Sequence, residues 1–159
     1  MTKEAIHVFT TRITQASKSD LIVILYDMAL TEIGDARTAY EANDLIAFDK
    51  ELKKAHKFVN ELMATLDYQY SIAYDLLSLY LYINKRIITA IVQRNPVSLN
   101  SAETVLNKLL IAFEGVTKVD TSGPMMRNTQ QLYAGLTYGK GKLNETYLNP
   151  DNRSRGFIA

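Results

Sequence analysis

The stretch of residues 72–92 constrains this chain most, because it is apolar on more sides than one helix–core contact requires. At about 3.6 residues per turn, it is long enough for about six helical turns. One stripe has the spacing of three and four that is typical of a core-facing helix side: Ala73, Leu76, Tyr80, Ile83, Ile87 and Ala90. A second stripe beside it comprises Leu77, Leu81, Ile88 and Val92. This helix is therefore either central in the fold or offers part of its surface to a partner.

Three further helices of similar length are predicted around it. The first covers residues 18–40, and it is preceded by Ser17, which with Asp20 has the spacing of a capping box. The second follows a polar break and shows an unbroken three–four rhythm: Leu45, Phe48, Leu52, Ala55, Val59, Leu62 and Leu66. The last helix is predicted to start after a cap at Asn95.

The connections between these four helices are only a few residues long. Short connections bring neighbouring helices antiparallel, and three–four seams pack at shallow angles. No stretch alternates convincingly with a period of two, so strands are not expected. We therefore expect an all-α protein, an antiparallel up-down four-helix bundle with an irregular C-terminal tail.

A shift of charge divides the chain. Residues 1–117 carry 12 basic and 14 acidic side chains, whereas residues 118–159 carry 6 basic and 3 acidic ones. We expect an N-terminal segment at residues 1–16 that can form a short helix, a bundle at residues 17–118, and a basic extension at residues 119–159. Leucine and tyrosine punctuate the extension, which would let it fold onto a surface.

Neither the composition nor the motifs point to an enzyme. The chain has no cysteine, no phosphate-binding glycine loop and two histidines, His7 and His56. We therefore predict no catalytic site, no cofactor and no metal site. The slight acidity of residues 1–117 argues against nucleic acid, and charged residues interrupt the longest apolar stretch, so membrane insertion is not expected. The absence of cysteine and of a secretory signal leads us to expect a cytoplasmic protein.

Three surface features remain open at this point. Tyr68, Tyr70, Tyr74 and Tyr82 gather at the third predicted helix and the loop before it, where they either edge the core or line a peptide-binding groove. The outward second stripe would accept either the chain's own N-terminal segment or tail, or an amphipathic helix of a partner. The lysines of the second helix form a solvated face or a dock for an acidic partner: Lys50, Lys53, Lys54 and Lys57.

Three segments of the chain carry a family resemblance. They are DLIVILYDMAL at residues 20–30, ELMATLD at residues 61–67 and LLSLYLYINKRI at residues 76–87. In order and spacing they resemble the flagellar secretion chaperone family FliS, over about residues 10–117. The resemblance implies a helical bundle in the bacterial cytoplasm that binds the disordered C-terminal segment of flagellin. It further implies that the bundle prevents premature polymerisation and aids delivery to the gate of the flagellar type III export apparatus.

The second stripe, together with the resemblance, predicts a flagellin-binding groove. Its predicted lining is Tyr74, Leu77, Leu81, Tyr82 and Ile88 on the third helix, with Met63 on the second and Leu110 on the fourth. Periodicity leaves each of these residues open as a core residue instead. The resemblance also implies an N-terminal segment that can cover part of the groove, and Ile6 and Phe9 stand in the matching region.

One hypothesis concerns the extension, and one concerns the class of protein. Leu132, Tyr133, Leu136 and Tyr138 of the extension would occupy the groove when flagellin is absent. The alternative to a flagellin chaperone is a helical scaffold or dimerisation module without a flagellin ligand. A homodimer is left open.

Overall fold

The computed structural model describes residues 1–126, and every regular element among them is helical. The helices are α1 (Lys3–Gln15), α2 (Lys18–Glu41), α3 (Leu45–Ala64), α4 (Ile72–Gln93) and α5 (Leu99–Thr117), with a 3-10 turn at Pro96–Ser98. The described residues contain no strand, so the predicted all-α class is confirmed. The predicted extension is described only as far as Met126, and the four extension residues of the groove hypothesis lie outside the described range.

Local side-chain caps set the starts of the helices. The Ser17 Oγ accepts a bond from the Asp20 N–H at 3.2 Å, and the Asp20 carboxylate accepts one from the Ser17 N–H at 3.1 Å. This is the predicted capping box at the start of α2. Asn95 is a cap as well: its side-chain oxygen accepts a hydrogen bond from the Val97 N–H at 2.9 Å. It caps the 3-10 turn at Pro96–Ser98, so α5 begins later than expected. Pro96 fits that turn because it has no N–H to satisfy.

A shared core lies between the four longer helices. α2 packs against α3 and α5, and α4 packs against the same two helices. Of the predicted α3 seam, the residues buried here are Phe48, Leu52, Ala55, Val59 and Leu62. The prediction was wrong for Leu45, which is exposed because it lies in the first turn of α3, and Leu66 is half-buried beyond the end of the helix. Burying one large apolar side chain stabilises the fold by about 1.5–3 kcal/mol, so the buried residues supply the main driving force for folding.

Two tyrosines meet inside this core. Tyr26 on α2 and Tyr80 on α4 are almost completely buried, and their hydroxyl oxygens lie 2.5 Å apart. Burial raises the pKa of both hydroxyls, so both stay neutral. The pair thus satisfies two polar groups that would each be costly to bury alone.

We expect Tyr26→Phe and Tyr80→Phe each to lower the free energy of unfolding by about 1–3 kcal/mol, because each leaves the other hydroxyl unpaired. The double variant should cost less than the sum, since neither hydroxyl remains. Urea denaturation of the four proteins measures this, with exposed Tyr70→Phe as a control that should change little. Additive losses would show that the two hydroxyls do not stabilise the fold as a pair.

Candidate functional site

The outward side of α4 carries an apolar stripe. Tyr74, Leu77, Leu81 and Ile88 lie within about 60° of one another around the helix axis, given about 100° per residue. Tyr74, Leu81 and Ile88 are 57%, 54% and 47% exposed, and Leu77 is half-buried. We call these four residues the outer stripe. Since the inward side of α4 is also apolar and is buried in the core, the outer stripe is apolar surface beyond what the described core uses.

The predicted groove residue Tyr82 lies on another side of α4. It is about 100° from Leu81 around the helix, on the side that faces α5. The Arg86 guanidinium lies over its ring, 5.1 Å from the centroid. Ser101 of α5, and to a lesser extent Arg86, lower the pKa of the Tyr82 hydroxyl. Tyr82 is therefore placed with α5 and apart from the outer stripe.

Met63 and Leu110 are packed against the core. Met63 on α3 and Leu110 on α5 are half-buried, and both contact the central cluster of buried residues. A partner could reach only their outer edges without displacing the core. Of the seven predicted groove residues, the structure thus brings four together in the outer stripe and places three elsewhere.

The N-terminal residues form a helix that packs on α2. Thr2 caps α1 by accepting a bond from the Ala5 N–H at 3.2 Å. Phe9 is buried in a small cluster with Ala16 and Ile24, whereas Ile6 remains exposed. This cluster is separate from the outer stripe, so α1 gains its apolar contact from α2.

Exposed apolar residues extend the surface toward both ends of α4. At its start lie Tyr68 and Tyr74, with ring centroids 5.5 Å apart, and at its end lies Val92. Ile46, near the start of α3, is 84% exposed beside a cavity of about 400 Å³. The cavity is lined by Leu45, Ile46, Asp49, Lys50, Lys53 and Arg94. Sequence reasoning missed Ile46; the available signal was an apolar residue outside the α3 seam.

A charged cluster joins the start of the chain to α2 and α3. The carboxylate oxygens of Glu32, Asp35 and Glu51 lie within 4.8 Å of one another, and two cations lie among them. The Met1 amino group is 3.5 Å from Glu32 and also pairs with Asp35. Lys54 pairs with Glu51 and is 3.6 Å from Glu32.

Burial, followed by the hydrogen bond with Glu51, raises the pKa of Glu32 to about 7. Burial acts in the same direction on Glu51, but hydrogen bonds from Glu32 and Lys54 outweigh it and lower the pKa of Glu51 to about 2. The two carboxyl groups therefore share one proton at mildly acidic pH, with Glu32 as the protonated member. The protonation of Glu32 therefore sets the charge that faces the Met1 amino group.

The fold and the outer stripe define a class: an all-helical protein with an exposed apolar helix surface. The sequence profile described as "Flagellar protein FliS" matches residues 2–120. The chain belongs to the FliS family of flagellar secretion chaperones. None of the curated proteins compared with the chain matches it. Among residues 1–126, no helix combines the length and the apolar character needed to cross a membrane.

The charged cluster predicts a dependence of stability on pH. The pKa of Glu32 in the folded protein, about 7, lies above its ordinary value of 4.5. Glu32 therefore stabilises the folded state fully below pH 4.5, and this stabilisation is lost as the pH rises toward 7. Glu51 has a lowered pKa, so its stabilisation of the folded state is present above pH 4.5 and is lost as the pH falls from 4.5 toward 2. We therefore expect the free energy of unfolding to fall by about 1–3 kcal/mol between pH 4.5 and pH 7.

Glu32→Gln should remove most of that decline, because glutamine stays neutral at every pH. Guanidinium denaturation at both pH values measures the difference for each protein. Glu61→Gln, an exposed change on α3, is the matched control and should keep the wild-type slope. An equal slope in wild type and Glu32→Gln would contradict the assignment.

Proposed function

We propose that this protein is a cytoplasmic export chaperone whose outer stripe binds the disordered C-terminal segment of flagellin. Bound in this way, the segment would be kept from polymerising and delivered to the flagellar type III export gate. The observation that carries the proposal is the outer stripe of α4, exposed apolar surface in a chain of the FliS family. The role is one of binding, with no catalytic step.

The physical basis is helix-in-groove recognition. Leu77, Leu81 and Ile88 are spaced by four and seven residues, which is the spacing that an amphipathic helix can match along one side. Burying them removes apolar surface from water at about 25 cal/mol per Å². Part of that gain is offset by the entropy lost when a disordered segment folds on binding. The complex can therefore be specific and still release its cargo.

We also propose that α2 to α5 form the antiparallel up-down bundle expected from their short connections. Contacts at matching ends support this arrangement. The rings of Tyr40 and Phe48 are 5.4 Å apart across the α2–α3 connection. Arg37, late in α2, pairs at 2.6 Å with Glu103, early in α5. In such a ring each helix has two neighbours and one outward side, which leaves the outer stripe available.

Tyr82, Met63 and Leu110 enter the proposal as edges of the bound surface. Tyr82 would extend the contact toward α5, and the other two would be touched only at their outer atoms. Ile6 and Phe9 remain candidates for a covering segment that moves when flagellin binds. A shift of α1 would first have to break the contact of Phe9 with Ile24.

The proposal predicts that Leu81→Asp and Ile88→Asp each weaken binding of a flagellin C-terminal peptide by at least about tenfold, because each buries a charge at the contact. Titration calorimetry measures the affinities. Ile111→Asp, on the exposed side of α5, is the matched control and should bind like the wild type. Circular dichroism and thermal melts establish that the variants remain folded.

Two outcomes would contradict the proposal. If wild type does not bind the peptide at micromolar concentration, the flagellin function is wrong. If wild type instead self-associates, and Leu81→Asp abolishes that association, the alternative of a scaffold or homodimer is supported. Equal losses in the α4 and α5 variants would place the binding surface elsewhere.

A further inference from the structure

One side of α3 carries positive charge without a partner in the described chain. Lys50, Lys53 and Lys57 follow one another at steps of three and four, so they lie within about 60° of one another around the helix. All three are exposed and form no ion pair within residues 1–126, whereas Lys54 pairs with Glu51. Three of the four lysines that the sequence groups together therefore remain available to a partner. We call these three the lysine row.

Two contacts show how α3 and α4 lie beside each other. The Nδ2 of Asn84 on α4 donates to the Oδ1 of Asn60 on α3 at 2.7 Å. Ten residues before Asn60, Lys50 lines the cavity of about 400 Å³ together with Arg94, which lies ten residues after Asn84. The segments between these contacts therefore run side by side, with the lysine row on one and Ile88 of the outer stripe on the other.

The two asparagines mark the line along which α3 and α4 meet. Directly before them in the sequence stand buried core residues, Ile83 on α4 and Val59 on α3. Three residues before them stand exposed residues, Leu81 on α4 and Lys57 on α3. One residue turns a helix by about 100° and three residues turn it by about 300°, so in both helices the core residue and the exposed residue lie on opposite sides of the asparagine. The outer stripe and the lysine row are thus the two walls of one groove, which we call the α3–α4 groove.

The positive charge is concentrated at this groove. The cavity at its end is lined by Lys50, Lys53 and Arg94 against a single carboxylate, that of Asp49. Over residues 1–117 as a whole, acidic side chains outnumber basic ones by 14 to 12. A helix that presents apolar residues to α4 and carboxylates to α3 would complement both walls.

We propose that the lysine row selects, as the occupant of the α3–α4 groove, an amphipathic helix with Asp or Glu residues along one edge of its apolar side. This rests on the proposed function, in which the flagellin segment supplies that helix. The chain's own extension is a poorer match, because residues 118–159 carry 6 basic and 3 acidic side chains and so have the same sign of net charge as the lysine row.

The test reverses charge on both partners. The full chain with Lys50→Glu, Lys53→Glu and Lys57→Glu combined is titrated with a flagellin C-terminal peptide, with a neutral version that has Asn and Gln for Asp and Glu, and with a reversed version that has Lys there. An exposed ion pair changes affinity by up to about fivefold, so wild type should bind the neutral peptide at least about tenfold more weakly than the original. The lysine-row variant should bind the original peptide about tenfold more weakly than wild type does, and the reversed peptide about tenfold more tightly. In about 1 M salt, where the Debye length is about 3 Å, these differences should shrink.

A matched control separates the lysine row from net charge. Lys18→Glu, Lys108→Glu and Lys118→Glu combined change three exposed lysines outside the groove and give the same change in net charge. This control should bind the original peptide within about twofold of wild type, because distant exposed charges are screened. The single variant Lys53→Glu should show the same signs as the lysine-row variant, at about threefold, and covers the case that the combined variant does not fold.

The outcomes separate this inference from the function on which it rests. If wild type binds the original peptide and Leu81→Asp abolishes binding, yet the lysine-row variant binds all three peptides as wild type does, the outer stripe stands and selection by the lysine row is wrong. If wild type does not bind the peptide, both proposals are wrong. Equal losses in the lysine-row variant and the control would overturn the inference, since net charge would then set the affinity. Equally weakened binding of all three peptides by the lysine-row variant would also overturn it, and would indicate that the basic extension occupies the groove.

Discussion

The rest of this structure depends on one constraint: the shared core can bury only the side of each surrounding helix that faces it. α4 brings Tyr80, Ile83 and Ile87 into that core and has no further described helix on its outer side. Its outer stripe is nevertheless apolar, so Leu81 and Ile88 remain in contact with water. A helix that is apolar on two sides but covered on one retains surface whose burial by a partner is favourable. The chain belongs to the FliS family, and this exposed apolar surface is the basis of the function that we propose.

Buried polar groups differ in how completely they are paired. The hydroxyls of Tyr26 and Tyr80 satisfy each other between α2 and α4. Glu32 is buried as well, but the Met1 amino group and Lys54 lie beside it. Asn84 is satisfied only by half, because Asn60 takes its nitrogen and its oxygen has no described partner. The incomplete pairing thus occurs at the contact between α3 and α4, away from the Tyr26–Tyr80 pair.

Periodicity anticipated the residues that face the core but could not assign the groove. The α3 seam from Phe48 to Leu62 is buried as its spacing predicts, because a regular helix carries its apolar side wherever the core lies. The groove assignment needed more than spacing. Tyr82 is next to Leu81 in sequence, yet a step of about 100° turns it toward α5. Leu110 was also predicted to line the groove, and in the structure it packs against the core.

The sequence by itself determined the helices, the capping box of Ser17 and Asp20, the all-α class and the family resemblance. These depend on interactions within about four residues along the chain, or on patterns that need no neighbouring helix. Only the tertiary structure decided which stripe of α4 stays outside and that α1 packs its Phe9 on α2. It also decided that Asn84 is buried with a side-chain oxygen that no residue of 1–126 pairs. Whether a residue is buried depends on the neighbouring helices. The rotation of each helix about its own axis is fixed only when the apolar sides of all the helices pack together in one core.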